Sequence, residues 1–423
     1  MFWLIETQEQ FEDLKSHKLT EILAIPIGRH PDSHPAIYSP LCLYVKDVLS
    51  QEGYLINFLH SEAMKINADH IREWLETLSK IYTPDRKAFN YFHHSKKTIS
   101  LPAVKEETIQ AISYFSRRYY TDPDQGNIIP VVKHYEHCEK IAEQYLEIIP
   151  SLTSDTFRKD VEDIFWVIER NGLKVSDTLG DYFNMERPFL SLYNNHVLTQ
   201  YNLNNTTGRP SNNFNSINFA ALNKENGCRS AFIPRNDLLM EIDLVAYHPT
   251  LISKLVGYES LTGDIYEDFG EVYGMDRKES KSLVFKQLYG NVFEQYKDFE
   301  FFKLTTKYID ELWSSYKTQG YVDGVDARYR FYSKDLLNMN PQKLFNYVIQ
   351  NYETVSNVGL LKEILYLLED KKSKVVLYTY DAILLDLAKE DTDTLRKIVE
   401  VFKNKNLKIT MNVGKNYNSL QPF

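Results

Sequence analysis

The pattern of hydrophobic and polar positions along the chain predicts three successive regions. Up to about residue 150, short apolar runs at 21–27, 41–45 and 53–58 are mixed with helical stretches, which indicates an α/β domain. From about residue 131 to 186, apolar side chains recur at three- and four-residue spacing, so this middle part should be mainly helical. The segment 198–232 is polar and should be irregular, and after it two short apolar strands flank a helical segment.

The composition narrows the class of protein. The chain has 423 residues, of which 43% are hydrophobic and 25% are charged, so it should form a globular protein of two or three domains. Its apolar runs are far shorter than the roughly 18 residues that a membrane helix needs, and we expect no membrane partner. Three cysteines without zinc-binding or disulfide spacing fit a reducing compartment, the cytoplasm. The net charge of −9 argues against indiscriminate polyanion binding but is compatible with a local basic cleft.

Each of the two apolar strands contains an aspartate. Asp243 lies in the apolar part of the run 238–246, and Asp381 lies in that of the run 374–386. A single aspartate of this kind is better explained by a turn or by a buried arginine partner than by a metal, because an unpaired buried carboxylate is costly. Two of them in separate strands favour a pair of hard divalent cations, since carboxylate oxygens are the ligands that Mg²⁺ prefers.

The segment between these strands predicts a helix with a distinctive face. Asp276 and Glu279 suit its N-terminus, and Gly290 suits the position just past its end. One edge of the helix, about 18 Å long, presents two cations and then two aromatic rings. These residues are Arg277, Lys281, Phe285 and Tyr289. The cations suit a triphosphate and the rings suit a sugar and base, whereas the alternative is a solvated cationic face beside two core aromatic residues.

With these residues the sequence resembles the family A DNA polymerases, the group related to bacterial polymerase I. The spacing Arg277-x3-Lys281-x3-Phe285-x3-Tyr289 is similar to the fingers-helix motif of the family. The runs around Asp243 and Asp381 look like its two palm motifs, in the same order. Further segments that resemble family motifs are 207–211, 229–232, 263–266, Asn346-x3-Gln350 and 412–417. The resemblance covers roughly residues 206–417.

The resemblance implies an α+β right-hand polymerase fold, with a palm of antiparallel sheet, helical fingers at about 258–350 and a short helical thumb in residues 151–205. The palm and fingers together would occupy residues 206–423. The implied activity is that of a template-directed DNA polymerase, which adds dNTPs to a primer 3′-hydroxyl by two-metal phosphoryl transfer. The expected partners are therefore primer-template DNA, dNTPs and a processivity factor.

The resemblance also assigns roles to individual residues. Asp243, Asp381 and the backbone carbonyl of Leu244 would hold two Mg²⁺ ions, for which Mn²⁺ can substitute. Lys281 would act with the two aspartates in catalysis. Nucleotide contacts would come from Arg277, Lys281, Phe285, Tyr289 and His248, and DNA contacts from Arg209, Arg229, Asn346, Gln350 and Tyr380.

Departures from the family pattern bear on the expected activity. His248 stands where the family has a glutamate that helps to exclude a ribose 2′-hydroxyl, and its similar reach predicts a preference for deoxynucleotides. Phe285 favours the same preference, since related single-subunit RNA polymerases usually have Met at that place. Ala382 replaces an accessory carboxylate after Asp381, and we expect activity to survive because the two main metal ligands remain. The short stretch ahead of Arg209 leaves room only for a small thumb, which predicts low processivity without a partner.

The N-terminal region resembles the family's 3′ to 5′ proofreading exonuclease, an α/β domain of the RNase H type. The run Phe2-Trp3-Leu4-Ile5-Glu6-Thr7 is similar to the first strand of that domain, but Leu4 occupies the aspartate position of the required Asp-x-Glu pattern. Residues 1–150 are therefore expected to form a degenerate exonuclease-like domain without proofreading. The compact size and incomplete domain set suit a phage or mobile element, and hence a host cytoplasm.

Two other functions stay open at the level of the sequence. A single-subunit RNA polymerase or a primase-like enzyme would be revealed by incorporation of ribonucleotides without a primer. A catalytically inactive DNA-binding replication factor would share the fold, although such a protein has no physical need for carboxylates in apolar strands.

Overall fold

The chain forms two compact units. The first comprises Met1–Asn204 and Ser211–Ile233, and the second comprises Asn205–Pro210 and Pro234–Phe423. The computed structural model describes residues 3–28, 34–37, 39–101, 129–152, 156–183, 192–212, 217–290, 292–325, 329–334 and 336–423. Within these ranges, no helix combines the length and the apolar character needed to cross a bilayer.

The first unit contains a six-stranded mixed sheet. Its strands are β1 (Trp3–Ile5), β2 (Glu21–Ile27), β3 (Cys42–Asp47), β4 (Gly53–Asn57), β5 (Lys80–Thr83) and β6 (Thr98–Ser100). They are arranged in the order β1-β4-β3-β2-β5-β6. The strands β2, β3 and β4 pair antiparallel, whereas β5 and β6 continue from β2 in parallel and β1 pairs in parallel with β4.

Helices cover both faces of this sheet. Its central strand β2 is therefore buried at every residue after Glu21. On one face, α1 (Gln8–Ser16), α2 (Ala68–Thr77) and α3 (Arg86–Phe92) share a core with the β2 side chains Ile22 and Ala24. On the other face, α4 (Val131–Leu146) packs against the alternate residues of β2. The pleat therefore directs successive apolar side chains into two separate cores.

The strand that resembles the start of the exonuclease domain is β1. The strand β1 is at the edge of the sheet and has β4 as its neighbour, and Phe2 lies outside the described residues. The Glu6 carboxylate accepts a hydrogen bond from the Met64 amide at 2.8 Å, which gives it a structural role. The central strand β2 has no acidic residue after Glu21. Neither strand therefore presents the pair of carboxylates that the Asp-x-Glu pattern would supply.

One further helix and several short elements complete the first unit. The helix α5 (Thr156–Asn171) buries Val161, Ile164, Phe165 and Ile168, as their spacing predicts. It is followed by β7 (Leu173–Lys174), α6 (Leu179–Tyr182), β8 (Leu192–Tyr193) and β9 (His196–Val197). The three strands form a small antiparallel sheet in the order β7-β9-β8.

The second unit is organised around a five-stranded antiparallel sheet. Its strands are β10 (Leu238–Leu244), β13 (Lys374–Thr379), β14 (Ala382–Leu387), β15 (Ile409–Gly414) and β16 (Gln421–Pro422), in the order β13-β14-β10-β15-β16. The strand β10 thus lies in the middle and pairs on both sides. The helices α7 (Tyr247–Val256), α11 (Pro341–Leu367) and α12 (Thr392–Asn404) belong to the same unit.

A helical, aromatic-rich part of this unit is inserted between β10 and β13. It contains α8 (Ile265–Tyr273), α9 (Arg277–Tyr289), α10 (Glu300–Gln319) and the hairpin of β11 (Tyr321–Asp323) and β12 (Arg330–Tyr332). Its core contains rings such as Phe269, Phe299 and Phe302, whose centroids lie 5.3 to 5.8 Å apart in edge-on geometry.

Buried charges join α5 to the sheet of the first unit. The Glu169 carboxylate accepts hydrogen bonds from Lys87 Nζ, from Tyr91 Oη at 2.8 Å and from the Tyr201 amide at 2.6 Å. The Glu162 carboxylate accepts a short hydrogen bond from the Ser100 hydroxyl and faces Arg158 Nη2 at 3.4 Å.

Glu162 should make the stability of the protein depend on pH. Burial raises the pKa of its carboxyl from 4.5 to about 7, against the opposing effects of Arg158 and Ser100. A raised pKa means that the folded state keeps its proton where the unfolded state has lost it, so the free energy of unfolding should fall between pH 4.5 and 7. The total loss is at most about 3 kcal/mol.

Urea denaturation of the Glu162→Gln variant at pH 5, 6, 7 and 8 measures this effect. The variant should lose that part of the pH dependence, whereas Glu136→Gln, at an exposed position of α4, should retain it. If the free energy of unfolding varied with pH in the same way for the wild type and Glu162→Gln, the carboxyl of Glu162 would have the same pKa in the folded and the unfolded state, and the prediction would be wrong.

Candidate active site

The two aspartates come together on neighbouring strands of the second unit. Asp243 is the penultimate residue of β10 and pairs with Ala382 of β14, while the Leu244 amide donates to the Asp381 carbonyl at 2.8 Å. Deep burial of both residues within strands was the wrong expectation. Asp243 is half-buried near a strand end, and Asp381 is exposed in the turn between β13 and β14. Both carboxylates can therefore reach a ligand without being removed from water completely.

The turn that carries Asp381 is held in an uncommon conformation. Tyr380 has φ of +64°, which is unfavourable for an aromatic residue. The amide nitrogen of Asn357 donates to the Tyr380 carbonyl at 2.9 Å and to the Tyr378 hydroxyl at 2.7 Å, and the Tyr247 hydroxyl donates to its amide oxygen at 2.7 Å. Because Asn357 is itself buried, these hydrogen bonds fix the turn from the inside.

Arg209 covers the outer side of this turn. Its guanidinium carbon lies 3.6 Å from the centroid of the Tyr380 ring, which is cation–π geometry. The same guanidinium forms an ion pair with Glu353, in which Nε lies 2.7 Å from Oε2 and Nη2 donates to Oε1 at 3.1 Å. The ring of Tyr380, predicted to contact DNA, is thus engaged with the predicted DNA-binding arginine.

His248 connects the same carboxylate to helix α9. Its Nε2 lies 3.3 Å from Glu353 Oε2, and its Nδ1 forms a short hydrogen bond with the Tyr289 hydroxyl. Burial raises the pKa of Tyr289, and the Glu353 carboxylate raises it further while Arg209 opposes the rise. Tyr289 therefore keeps its proton, and its hydroxyl shares the short hydrogen bond with His248 Nδ1 while Nε2 of the same ring faces Glu353.

Helix α9 has the ends and the face that its sequence predicts. The Asp276 side chain caps it by accepting from the Glu279 amide at 2.8 Å. The side chain of Phe285 is 56% exposed, so it is not a core residue as the alternative interpretation required. Its ring centroid lies 4.7 Å from that of Tyr289, and Lys281 is exposed on the same face.

Arg277, at the start of this face, has an acidic partner that sequence reasoning did not find. Its Nε and Nη2 donate to Asp264 Oδ2 at 3.0 and 2.7 Å. Asp264 is buried and also caps α8 by accepting from the Tyr266 amide. The guanidinium remains 42% exposed, so it can contact an anionic ligand while it stays paired.

The segment that contains Arg209 is attached to helix α11. The Thr207 hydroxyl donates to Gln350 Oε1 at 3.1 Å, and Asn351 Nδ2 donates to the Thr207 carbonyl at 3.3 Å. Gln350 and Asn346 are both half-buried, one helical turn apart. Gln350 thus positions the 205–210 segment, a role that was not expected for a predicted DNA-binding residue.

The structure does not bring Arg229 into this group. It belongs to the first compact unit, where it lies in the short helical turn Cys228–Ala231. Its side chain is buried, and Nη2 donates to the Leu222 carbonyl at 3.1 Å. This environment favours a structural role over the predicted contact with DNA.

Asp243, Asp381 and the Leu244 carbonyl offer only oxygen donors, which suits Mg²⁺. Asp381 is exposed as a residue, but its carboxyl group is partly desolvated, which raises its pKa, and the Glu353 carboxylate adds to the rise. A nearby divalent cation would favour the ionised form. The described residues contain no cluster of three or more His, Cys, Asp or Glu side chains with metal-binding geometry. The two aspartates therefore fit a cation that takes its remaining ligands from water and phosphate, as Mg²⁺ commonly does.

Glu353 and Asn357 are the residues of this site that sequence reasoning missed. They lie one helical turn apart on α11, in a row with the buried residues Ile349 and Leu361. Polar residues at apolar positions of a long helix are the signal that could have identified them.

Comparison with known proteins finds a similar fold among solved structures but no match in sequence. No protein-family model matches the chain, and no curated protein matches it. Among solved structures, it is similar to the POL domain of Pol1 from M. smegmatis in complex with DNA primer-template and dNTP. The TM-score is 0.68 at 14% identity, over 99% of this chain and 100% of that one. The likeness shows that the chain has the fold of this polymerase domain, as the resemblance implied.

Substitution of Gly208 should disturb the segment that carries Arg209. Gly208 has φ of +72°, and a Cβ atom there would lie 2.6 Å from the Tyr329 ring. Gly208→Ala should therefore combine backbone strain with overpacking, at a cost of about 3 kcal/mol. Gly257 has the same φ with open space around it, so Gly257→Ala should incur the strain alone, about 1 kcal/mol.

Scanning calorimetry of both variants separates the two contributions. We expect a clearly larger fall in Tm for Gly208→Ala than for Gly257→Ala. Equal falls would mean that the Tyr329 ring moves aside without cost.

Proposed function

We propose that the protein is a template-directed DNA polymerase, which extends a primer 3′-hydroxyl with dNTPs. The observation that carries this proposal is the convergence of Asp243 and Asp381 at one end of the β10–β14 pair. The polymerase fold and the exposed cationic and aromatic face of α9 support it. A triphosphate and a pair of carboxylates would repel each other, so the arrangement makes chemical sense with divalent cations between them.

The reaction is an in-line displacement at phosphorus. The primer 3′-oxygen forms a bond to the α-phosphorus, the bond from that phosphorus to the bridging oxygen breaks, and pyrophosphate leaves. Two Mg²⁺ ions, or Mn²⁺ in their place, held by Asp243, Asp381 and the Leu244 carbonyl would activate the hydroxyl and neutralise the developing charge. The protein side chains mainly bind and orient the reactants.

Helix α9 would receive the incoming nucleotide. Lys281 and the exposed part of Arg277 provide positive charge for the triphosphate, and Asp264 holds the Arg277 guanidinium in place. The exposed Phe285 ring offers a flat apolar surface for the base. Tyr289, held by His248, would close the other side of this pocket.

Primer and template would lie near the residues that hold the Asp381 turn. Arg209 is partly exposed above Tyr380, and Asn346 and Gln350 are half-buried on α11. Phosphate contacts of this kind give affinity without sequence preference and make binding sensitive to salt.

Proofreading is not part of the proposed activity. The edge strand β1 and the central strand β2 lack a carboxylate pair, and Glu6 is engaged with the Met64 amide. A two-metal exonuclease site without such carboxylates has no ligands to hold its ions.

Primer extension with Mg²⁺ tests the whole proposal. With a primed DNA template, dNTPs should be incorporated well ahead of ribonucleotides, because His248 is fixed by Glu353 and Tyr289 and leaves little freedom beside the sugar. Without nucleotides, a mismatched primer should remain at full length. Comparable use of both nucleotide pools, or extension without a primer, would instead favour an RNA polymerase or a primase-like enzyme.

Asp381→Asn should separate catalysis from DNA binding. Loss of one metal-binding charge should reduce extension by about a thousandfold or more, while the affinity for primer-template stays close to that of the wild type. Asp393→Asn is the matched control, because Asp393 lies on α12 in an exposed ion pair with Arg396. Extension assays and fluorescence anisotropy measure the two properties. A folded Asp381→Asn variant that loses DNA affinity would favour an inactive DNA-binding factor.

A further inference from the structure

The carboxylate of Glu353 is the most deeply buried charge of the candidate site. Its side chain is 1% exposed and lies on helix α11. A buried carboxylate is tolerated only if cations or hydrogen-bond donors compensate it. Its partners therefore show what the charge is used for.

Two basic residues from separate parts of the second unit share this carboxylate. Arg209, from the 205–210 segment, contacts both oxygens, and His248, from the start of α7, faces Oε2 at 3.3 Å. Each partner has a second contact in the site. Arg209 lies over the Tyr380 ring beside Asp381, and His248 is hydrogen-bonded to Tyr289 of α9. A continuous chain of contacts thus runs from the turn of Asp381 to the nucleotide-facing helix, with Glu353 at its centre.

Glu353 is badly placed to act on a ligand directly. Its side chain is almost wholly buried, and its oxygens are directed at Arg209 and His248. Its two partners nevertheless reach the surrounding groups, since Arg209 lies over the Tyr380 ring and His248 is hydrogen-bonded to Tyr289. It would therefore influence the reaction through its neighbours.

We propose that Glu353 is a positioning residue that couples the primer side of the site, through Arg209, to the nucleotide side, through His248 and Tyr289. The proposal rests on the polymerase function argued above. It implies that Arg209 contributes fully on the primer side only while Glu353 also holds His248. In the same way, His248 contributes fully on the nucleotide side only while Glu353 also holds Arg209. A purely structural carboxylate would affect folding and leave the two sides independent.

The first experiment replaces Glu353 with Gln, which keeps the shape and removes the charge. We expect KM for dNTP and Kd for primer-template each to rise roughly tenfold. Arg209→Gln should change mainly Kd, and His248→Gln mainly KM. Glu363→Gln is the matched control, since Glu363 lies on the same helix in an exposed pair with Lys405 at 2.8 Å. Unchanged KM and Kd in folded Glu353→Gln would overturn the proposal.

The second experiment leaves Glu353 in place, in case its replacement prevents folding. Arg209→Gln, His248→Gln and the double variant form a cycle in kcat/KM for single-nucleotide addition. The double variant should be at least fivefold more active than the product of the single effects predicts. Additive effects would overturn the coupling. A wild-type protein that incorporates no nucleotide would overturn the proposed function as well, which distinguishes the two failures.

Discussion

The hydrogen bond from the Leu244 amide to the Asp381 carbonyl closes the ladder between β10 and β14 at the end where the candidate site lies. Side chains alternate along a strand, so a slip of one residue in this ladder would send Asp243 to the opposite face of the sheet. The buried residues Ile242 and Ile383, which pair with each other, oppose such a slip. Core packing therefore determines the relative position of two carboxylates that the chain alone leaves far apart.

The turn that carries Asp381 is one of the strained places of the site. Two residues, Tyr380 and Asp381, connect β13 to β14, and Tyr380 takes a positive φ that only surrounding contacts make tolerable. Those contacts come from Asn357 on the buried side of the turn and from Arg209 on its outer side. The carboxylate of Asp381 is thus oriented by groups that do not belong to its own hairpin, which gives helix α11 a direct part in the geometry of the site.

The features predicted from sequence are those with local causes. The ends of α9 follow from the capping side chain of Asp276, and its cationic and aromatic face follows from four-residue spacing. The pairing of Arg277 with Asp264, the edge position of β1 and the contacts of Glu353 depend on residues distant in the chain. No local pattern encodes them. Asp381 was expected inside its strand because hydropathy does not reveal where a strand ends, whereas Asp243 does lie within β10.

The contacts of Glu353 also bear on position 248, where the sequence departs from the motif of the family A polymerases that it resembles. At position 248 the family has a glutamate, and this chain has a histidine, whereas a carboxylate faces that histidine from α11. Negative charge is therefore present near the site, but on a buried side chain behind His248 and not at position 248 itself. From there it cannot compete with Asp243 and Asp381 for a cation, because its oxygens are directed at Arg209 and His248. It can still act on them electrostatically, since Coulomb interactions in a partly desolvated site extend over several ångströms. In the proposed polymerase, a carboxylate that does not compete for the cation but adds negative charge behind the aspartates would favour cation binding there, even though Ala382 supplies no further ligand.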